Sequence, residues 1–86
     1  MKSIFLIIPK ENKYGKFINF YNKNIHIYFN VNNEEIKKKK ITKDDKVEKI
    51  KIILNHKIKS LSRLFYYCRS IKKIYSSLKK IKSLKF

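Results

Sequence analysis

The sequence contains one glycine, one proline and one cysteine among 86 residues, and only six acidic side chains. A single cysteine excludes an internal disulfide and any zinc site built on a cysteine cluster. With so little Gly and Pro, turns fall to Asn and Asp, which tolerate positive φ or bond their own backbone. No hydrophobic run is long. Lys2 followed by Ile4-Phe5-Leu6-Ile7-Ile8 has the outline of a signal peptide, but Pro9 ends the run after five residues. A signal-peptide core needs roughly 7–15 residues and a membrane helix roughly 20. The run therefore reads as a short strand, and neither export by this segment nor a transmembrane helix is expected; the compartment stays open.

Motifs of catalysis are also lacking. There is no glycine-rich phosphate loop and no Gly-x-Ser-x-Gly elbow. His26 and His56 have no carboxylate pair or cysteine ligand near them in sequence, and read as surface histidines. Glu34-Glu35 and Asp44-Asp45 fall in turn-like stretches, where acidic residues cap and solubilise. No catalytic, cofactor-binding or metal-ligating residue is assigned, and no enzyme and no cofactor are expected.

What the chain has in excess is lysine, isoleucine, asparagine and tyrosine. Twenty-three basic residues give a formal charge of +17. Residues 1–48 hold 11 basic and all 6 acidic residues, whereas residues 49–86 hold 12 basic residues and no acidic one. Such a field attracts polyanions: nucleic acid, an anionic membrane surface or an acidic protein. The same Lys, Asn and Ile bias is also what AT-rich codons produce, and lysine of that origin needs no ligand. Hydrophobic content of 43%, much of it strand-favouring Ile, Phe and Tyr, argues for a folded domain with β structure. The length allows one small domain, residues 1–86, with a thin core.

Within that domain three segments are distinguishable. Residues 1–24 read as an N-terminal strand and loop. Residues 25–54 read as a β-hairpin and a third strand. Ile25, Ile27, Phe29 and Val31 alternate with His26, Tyr28 and Asn30, the period of a half-buried strand. Asn32-Asn33 is a turn site, after which Glu35 to Ile41 would return as an edge strand blunted by Lys37, Lys38, Lys39 and Lys40. Ile50, Ile52 and Leu54 then alternate with Lys49, Lys51 and Ile53.

Residues 57–86 form the third segment, and its apolar positions Ile58, Leu61, Leu64, Phe65, Cys68, Ile71 and Ile74 are spaced 3, 3, 1, 3, 3 and 3 apart. Ser60 is a suitable N-cap. Two continuations fit. One amphipathic helix runs from Ser60 to about Leu84, uninterrupted by Gly or Pro; or a short helix over Leu61 to Cys68 gives way to a strand over Ser70 to Tyr75. Cys68, in the apolar stripe, reads as a packing residue.

Leu61-Ser62-Arg63-Leu64-Phe65-Tyr66-Tyr67-Cys68-Arg69-Ser70-Ile71-Lys72-Lys73-Ile74 resembles one repeat of the BspA-like leucine-rich repeat proteins, in which Met-x-x-Met-Phe-x-x-Cys-x-Ser-Leu-x-x-Leu recurs. The likeness covers about a fifth of the chain. It implies a repeat-motif core of Leu61, Leu64, Phe65, Cys68, Ile71 and Ile74, an N-terminal cap over residues 25–54, and a non-catalytic protein–protein interaction role, often at cell surfaces. Tyr67 and Arg69 depart from the small or polar residues of the pattern. No second copy follows, although roughly three repeats are needed for an independent solenoid. The implied chain is the start of a repeat protein or a truncated fragment, with a protein partner or further repeats stacked on it.

Together these readings predict an α+β fold. A small antiparallel sheet of three or four strands is followed by a C-terminal amphipathic helix or one repeat-like helix–strand unit. The alternative function is that of a small basic RNA-binding protein of ribosomal type. Lys37, Lys38, Lys39, Lys40, Lys72, Lys73, Lys79 and Lys80 would neutralise phosphates, and Tyr66, Tyr67 and Phe86 would stack on bases.

Overall fold

A computed structural model describes residues 3–55, 61–76 and 79–80. The strands are β1 (Ser3–Pro9), β2 (Gly15–Lys16), β3 (Ile25–Phe29), β4 (Lys40–Ile41), β5 (Ile50–Leu54), β6 (Ile71–Ser76) and β7 (Lys79–Lys80). One helix, α1 (Leu61–Phe65), and a 3-10 turn at Lys43–Asp45 complete the described elements. The architecture is mostly β, not α+β. Five antiparallel strands form one sheet in the order β3-β5-β1-β6-β7, and β2 and β4 form a separate short ladder.

β1 is central because its sequence is apolar at every position from Ile4 to Ile8, the pattern of a strand with neighbours on both edges. β5 pairs with it from Ser3↔Leu54 to Ile7↔Ile50. β6 takes its other edge from Phe5↔Ser76 onward. β5 and β6 thus run parallel to each other with β1 between them. Pro9, which has no N–H for a ladder, stands where the β1–β6 register shifts.

The long C-terminal helix is the main correction. α1 ends at Phe65, and Tyr67 takes φ 59°, the left-handed conformation that terminates helices. Ile71 and Ile74 are three apart, which reads as helical, yet both face the core from a strand. The register places Pro9 opposite Ile71 and Ile8 opposite Lys73, so Lys72 is an extra, bulged residue. The bulge converts a strand of period 2 into a local spacing of 3. Ser60 and the proposed helix beyond residue 80 lie outside the described residues.

The hairpin also differs from expectation. Asn30 at φ 56° begins the turn, β3 stops at Phe29, and Val31 is 82% exposed instead of sharing its buried face. Of the returning strand only Ile36 bridges Ile27. Lys40–Ile41 pairs with Gly15–Lys16 instead. Asparagine does much of the turn work: Asn30 Oδ1 accepts from the Glu48 and Lys49 amides, and Asn32 and Asn22 accept from the amides two residues on.

One face of the sheet is covered. Phe5 and Ile7, Ile25, Ile27 and Phe29, Ile50, Ile52 and Leu54, and Ile71 and Ile74 are buried. They form one cluster with Phe17, Ile18, Ile41, Leu64, Phe65 and Cys68. Phe65 meets Phe5 edge to face at 6.2 Å. The three characteristic side chains of the repeat-like motif, Phe65, Cys68 and Ser70, all contact residues 3–20. Cys68 Sγ donates to Asn19 Oδ1 at 3.6 Å, and Ser70 Oγ donates to the Lys16 carbonyl at 2.7 Å.

Candidate binding surfaces

The outer face of the sheet follows from the same alternation. Between the buried residues of β1 come Ile4, 48% exposed, and half-buried Leu6 and Ile8. Ile53 stands opposite Ile4. Across one row the partners are Tyr28↔Lys51, Lys51↔Leu6, Leu6↔Tyr75 and Tyr75↔Lys80. Lys51 Nζ lies 5.2 Å from the Tyr28 ring centroid, so a cation covers one aromatic of this row. The face is an aliphatic strip along β1 with tyrosines and lysines on its flanks.

His26 closes one edge of that face. It is hydrogen-bonded through Nδ1 to Glu35 Oε1, and its Nε2 lies 2.8 Å from the Asn55 side-chain nitrogen, while Tyr21 donates to Glu35 Oε2 at 3.4 Å. The bond from His26 holds the Glu35 carboxyl below its ordinary range, against a smaller opposing effect of burial. The cluster ties the 34–36 segment to the rim of β3 and β5. Among the described residues no group of three His, Cys, Asp or Glu side chains converges as metal ligands would.

Cys68 is buried, and desolvation pushes its thiol up to about 11, opposed only weakly by the charge of Lys16. It is a thiol at neutral pH, not a thiolate nucleophile. Leu64, Phe65, Cys68, Ile71 and Ile74 of the repeat-motif core are all buried; Leu61 opens α1, and its side chain lies outside the described ones.

The lysines singled out from sequence are dispersed. Lys37 to Lys39 lie exposed on the approach to β4, and Lys40, also exposed, opens that strand. Lys38 is committed to Asp45 at 2.6 Å and lies 5.8 Å from the Phe29 ring centroid. Lys72 and Lys73, adjacent in the chain, go to different surfaces: the bulge turns Lys72 into a groove, whereas Lys73 stands opposite Ile8 in the sheet. Lys79 and Lys80 form β7. Tyr66 and Tyr67 are exposed and pack on each other at 4.1 Å, with the Arg69 guanidinium 5.8 Å from the Tyr67 ring. Phe86 lies outside the described residues.

The groove was not legible as a motif, because its cations come from three separate stretches. Lys10 and Lys13 belong to the loop after β1, Lys43 and Lys46 to the 3-10 turn and its end, and Lys72 to the bulge in β6. Its volume is about 510 Å³. Isolated lysines carry no periodic signal, so only the crossing of these segments reveals it.

No protein family, curated protein or solved structure matches the chain. No helix among the described residues is long and apolar enough to cross a membrane.

Proposed function

We propose that this chain is a non-catalytic protein–protein interaction module, resembling the start of a BspA-like leucine-rich repeat protein, that binds through the outer face of its sheet. The observation that carries this reading is the two-faced character of β1. Its residues are apolar on both sides, but among the described elements only the Phe5 and Ile7 side is covered, leaving Ile4, Leu6, Ile8 and Ile53 as a strip open at least in part to solvent. An apolar strip framed by tyrosine and lysine has the make-up of an interface centre with a polar rim. The buried positions of the repeat-like motif fit the same reading, since they hold β6 in place while Lys73 and Tyr75 remain on the outer side.

Site-specific photo-crosslinking in an extract of the source organism tests it. A crosslinker replacing Ile4 is expected to trap a discrete protein that one replacing Lys39 does not, and Ile53→Glu is expected to abolish the adduct while leaving the circular dichroism spectrum intact. Equal labelling from both positions rejects the interface. Further Phe-x-x-Cys-x-Ser units encoded after the Phe86 codon are the matching genetic expectation.

A further inference from the structure

Apart from the sheet face, the groove at the end of β1 has its own chemistry. Five lysines, Lys10, Lys13, Lys43, Lys46 and Lys72, share its lining with two carboxylates, Glu11 and Glu48, a formal excess of +3 in one concavity. None of these five ammonium groups has a carboxylate within ion-pair distance among the described residues, where the pairs are His26–Glu35 and Lys38–Asp45. Charge of one sign inside a concave surface concentrates the field more than the same charge spread over a convex one. The volume, about 510 Å³, lies within the size range of ligand clefts.

The apolar part of the lining narrows the ligand. Ile8, Pro9 and Val47 contribute to the groove, and Tyr14, half-exposed, adds an aromatic ring. An acidic peptide satisfies the lysines but sets an aromatic ring beside its charges only where its own sequence supplies one. A phosphodiester chain offers both a charge at every unit and an aromatic base beside it. A paired duplex keeps its bases stacked on each other, so the base that meets Tyr14 must be unpaired. The bulge supports the assignment, because bulges re-aim a side chain away from the ladder: Lys72 joins the groove while its neighbours Ile71 and Lys73 serve the core and the outer face.

We infer that the groove formed by Lys10, Lys13, Tyr14, Lys43, Lys46 and Lys72 binds a single-stranded nucleic acid, the lysines neutralising successive phosphates and Tyr14 stacking on a base. The groove meets the outer-face strip only at Ile8, and its lysines and Tyr14 do not depend on the protein-binding role assigned to that strip.

Fluorescence anisotropy of the full chain with a labelled oligouridylate of about 10 nucleotides tests this. The triple variant Lys10→Ala, Lys13→Ala, Lys72→Ala is expected to lower the slope of log K against log salt by about 2, at roughly 0.7 for each phosphate no longer neutralised. The control triple Lys23→Ala, Lys37→Ala, Lys39→Ala removes as much charge elsewhere and is expected to leave the slope within about 0.5 of the parent. Tyr14→Ala is expected to weaken binding at least about fivefold, with Tyr14→Phe retaining it. A duplex of the same length is expected to compete poorly. Equal loss of slope in the two triples, or a duplex that competes as well as the single strand, overturns the proposal in favour of a diffuse lysine surface. Variants are compared only where circular dichroism matches the parent, and Tyr14→Ala without effect overturns the stacking role by itself.

Discussion

Cys68 donates its thiol hydrogen to the side-chain oxygen of Asn19, 49 residues away in the sequence. The same Asn19 side chain donates to the carbonyls of Arg63 and Tyr66 at 3.0 and 2.9 Å, and its backbone amide donates to the Leu64 carbonyl at 2.7 Å. The last carbonyls of any helix have no partner within the helix. Here one asparagine from the loop before β3 supplies the missing donors, which is how a five-residue helix keeps its end closed.

Asn19→Ala is therefore expected to destabilise the domain by about 1–3 kcal/mol, the net worth of two side-chain hydrogen bonds to exposed helix-end carbonyls at about 0.5–1.5 kcal/mol each. Asn19→Asp should be at least as harmful, since a carboxylate cannot donate to them. Urea denaturation of the two variants checks this, and a loss for Asn19→Ala below about 0.5 kcal/mol would show that water replaces the amide without penalty.

The thiol itself should be inert while the protein is folded. With its pKa raised to about 11 by burial, native Cys68 should react with a disulfide reagent at pH 8 more than about a hundredfold slower than an unfolded control. Rapid labelling without denaturant would contradict its burial in the core.

Tyr67 holds φ 59° at a position where helices commonly place glycine. A side chain there costs about 1–2 kcal/mol in backbone strain. Part of that is recovered on substitution, less the greater chain entropy of glycine when unfolded and the loss of stacking on Tyr66. Tyr67→Gly is expected to raise stability by up to about 1 kcal/mol, and Tyr67→Val to lower it. Thermal melts of both variants decide the matter, and a destabilising Tyr67→Gly would assign Tyr67 a packing role.

Acid should loosen the rim of β3. The bond from His26 keeps Glu35 ionised below the pH at which an unfolded glutamate takes up its proton. In that window the unfolded chain binds more protons, so stability falls as pH falls. The contribution is complete above the ordinary carboxylate pKa of about 4.3 and disappears as pH drops through the lowered value in the folded state. Glu35→Gln should flatten this part of the melting-temperature profile while leaving the Asp45 part. Asp45 is also shifted down: burial raises it, but the bonds from Lys38 and from the Thr42 amide and hydroxyl outweigh that. An unchanged profile in Glu35→Gln would place the acid sensitivity elsewhere.

Much of the local structure was legible in residue type and period alone. Ile25, Ile27 and Phe29, and Ile50, Ile52 and Leu54, face the core because a strand turns alternate side chains to one side, a property of the chain itself. Asparagine at the turns and the short apolar β1 followed in the same way from residue type. The segment after residue 60 did not yield to that logic. Spacing by threes is shared by a helix and by a strand carrying a bulge, and periodicity cannot choose between them.

Tertiary packing made the choice. β6 is a strand because β1 offers it an apolar edge that β5 leaves free, and Lys72 is squeezed out where Pro9 breaks the ladder. The Asn19 cap on α1, the meeting of five lysines from three stretches, and the division of Lys72 from Lys73 all depend on segments far apart in sequence. Residue type and period determined most of the buried positions, with Val31, left exposed by the turn at Asn30, as an exception. The pairing order of the strands decided which surfaces the remaining ones share, because backbone hydrogen bonds between distant strands carry no mark in the local sequence.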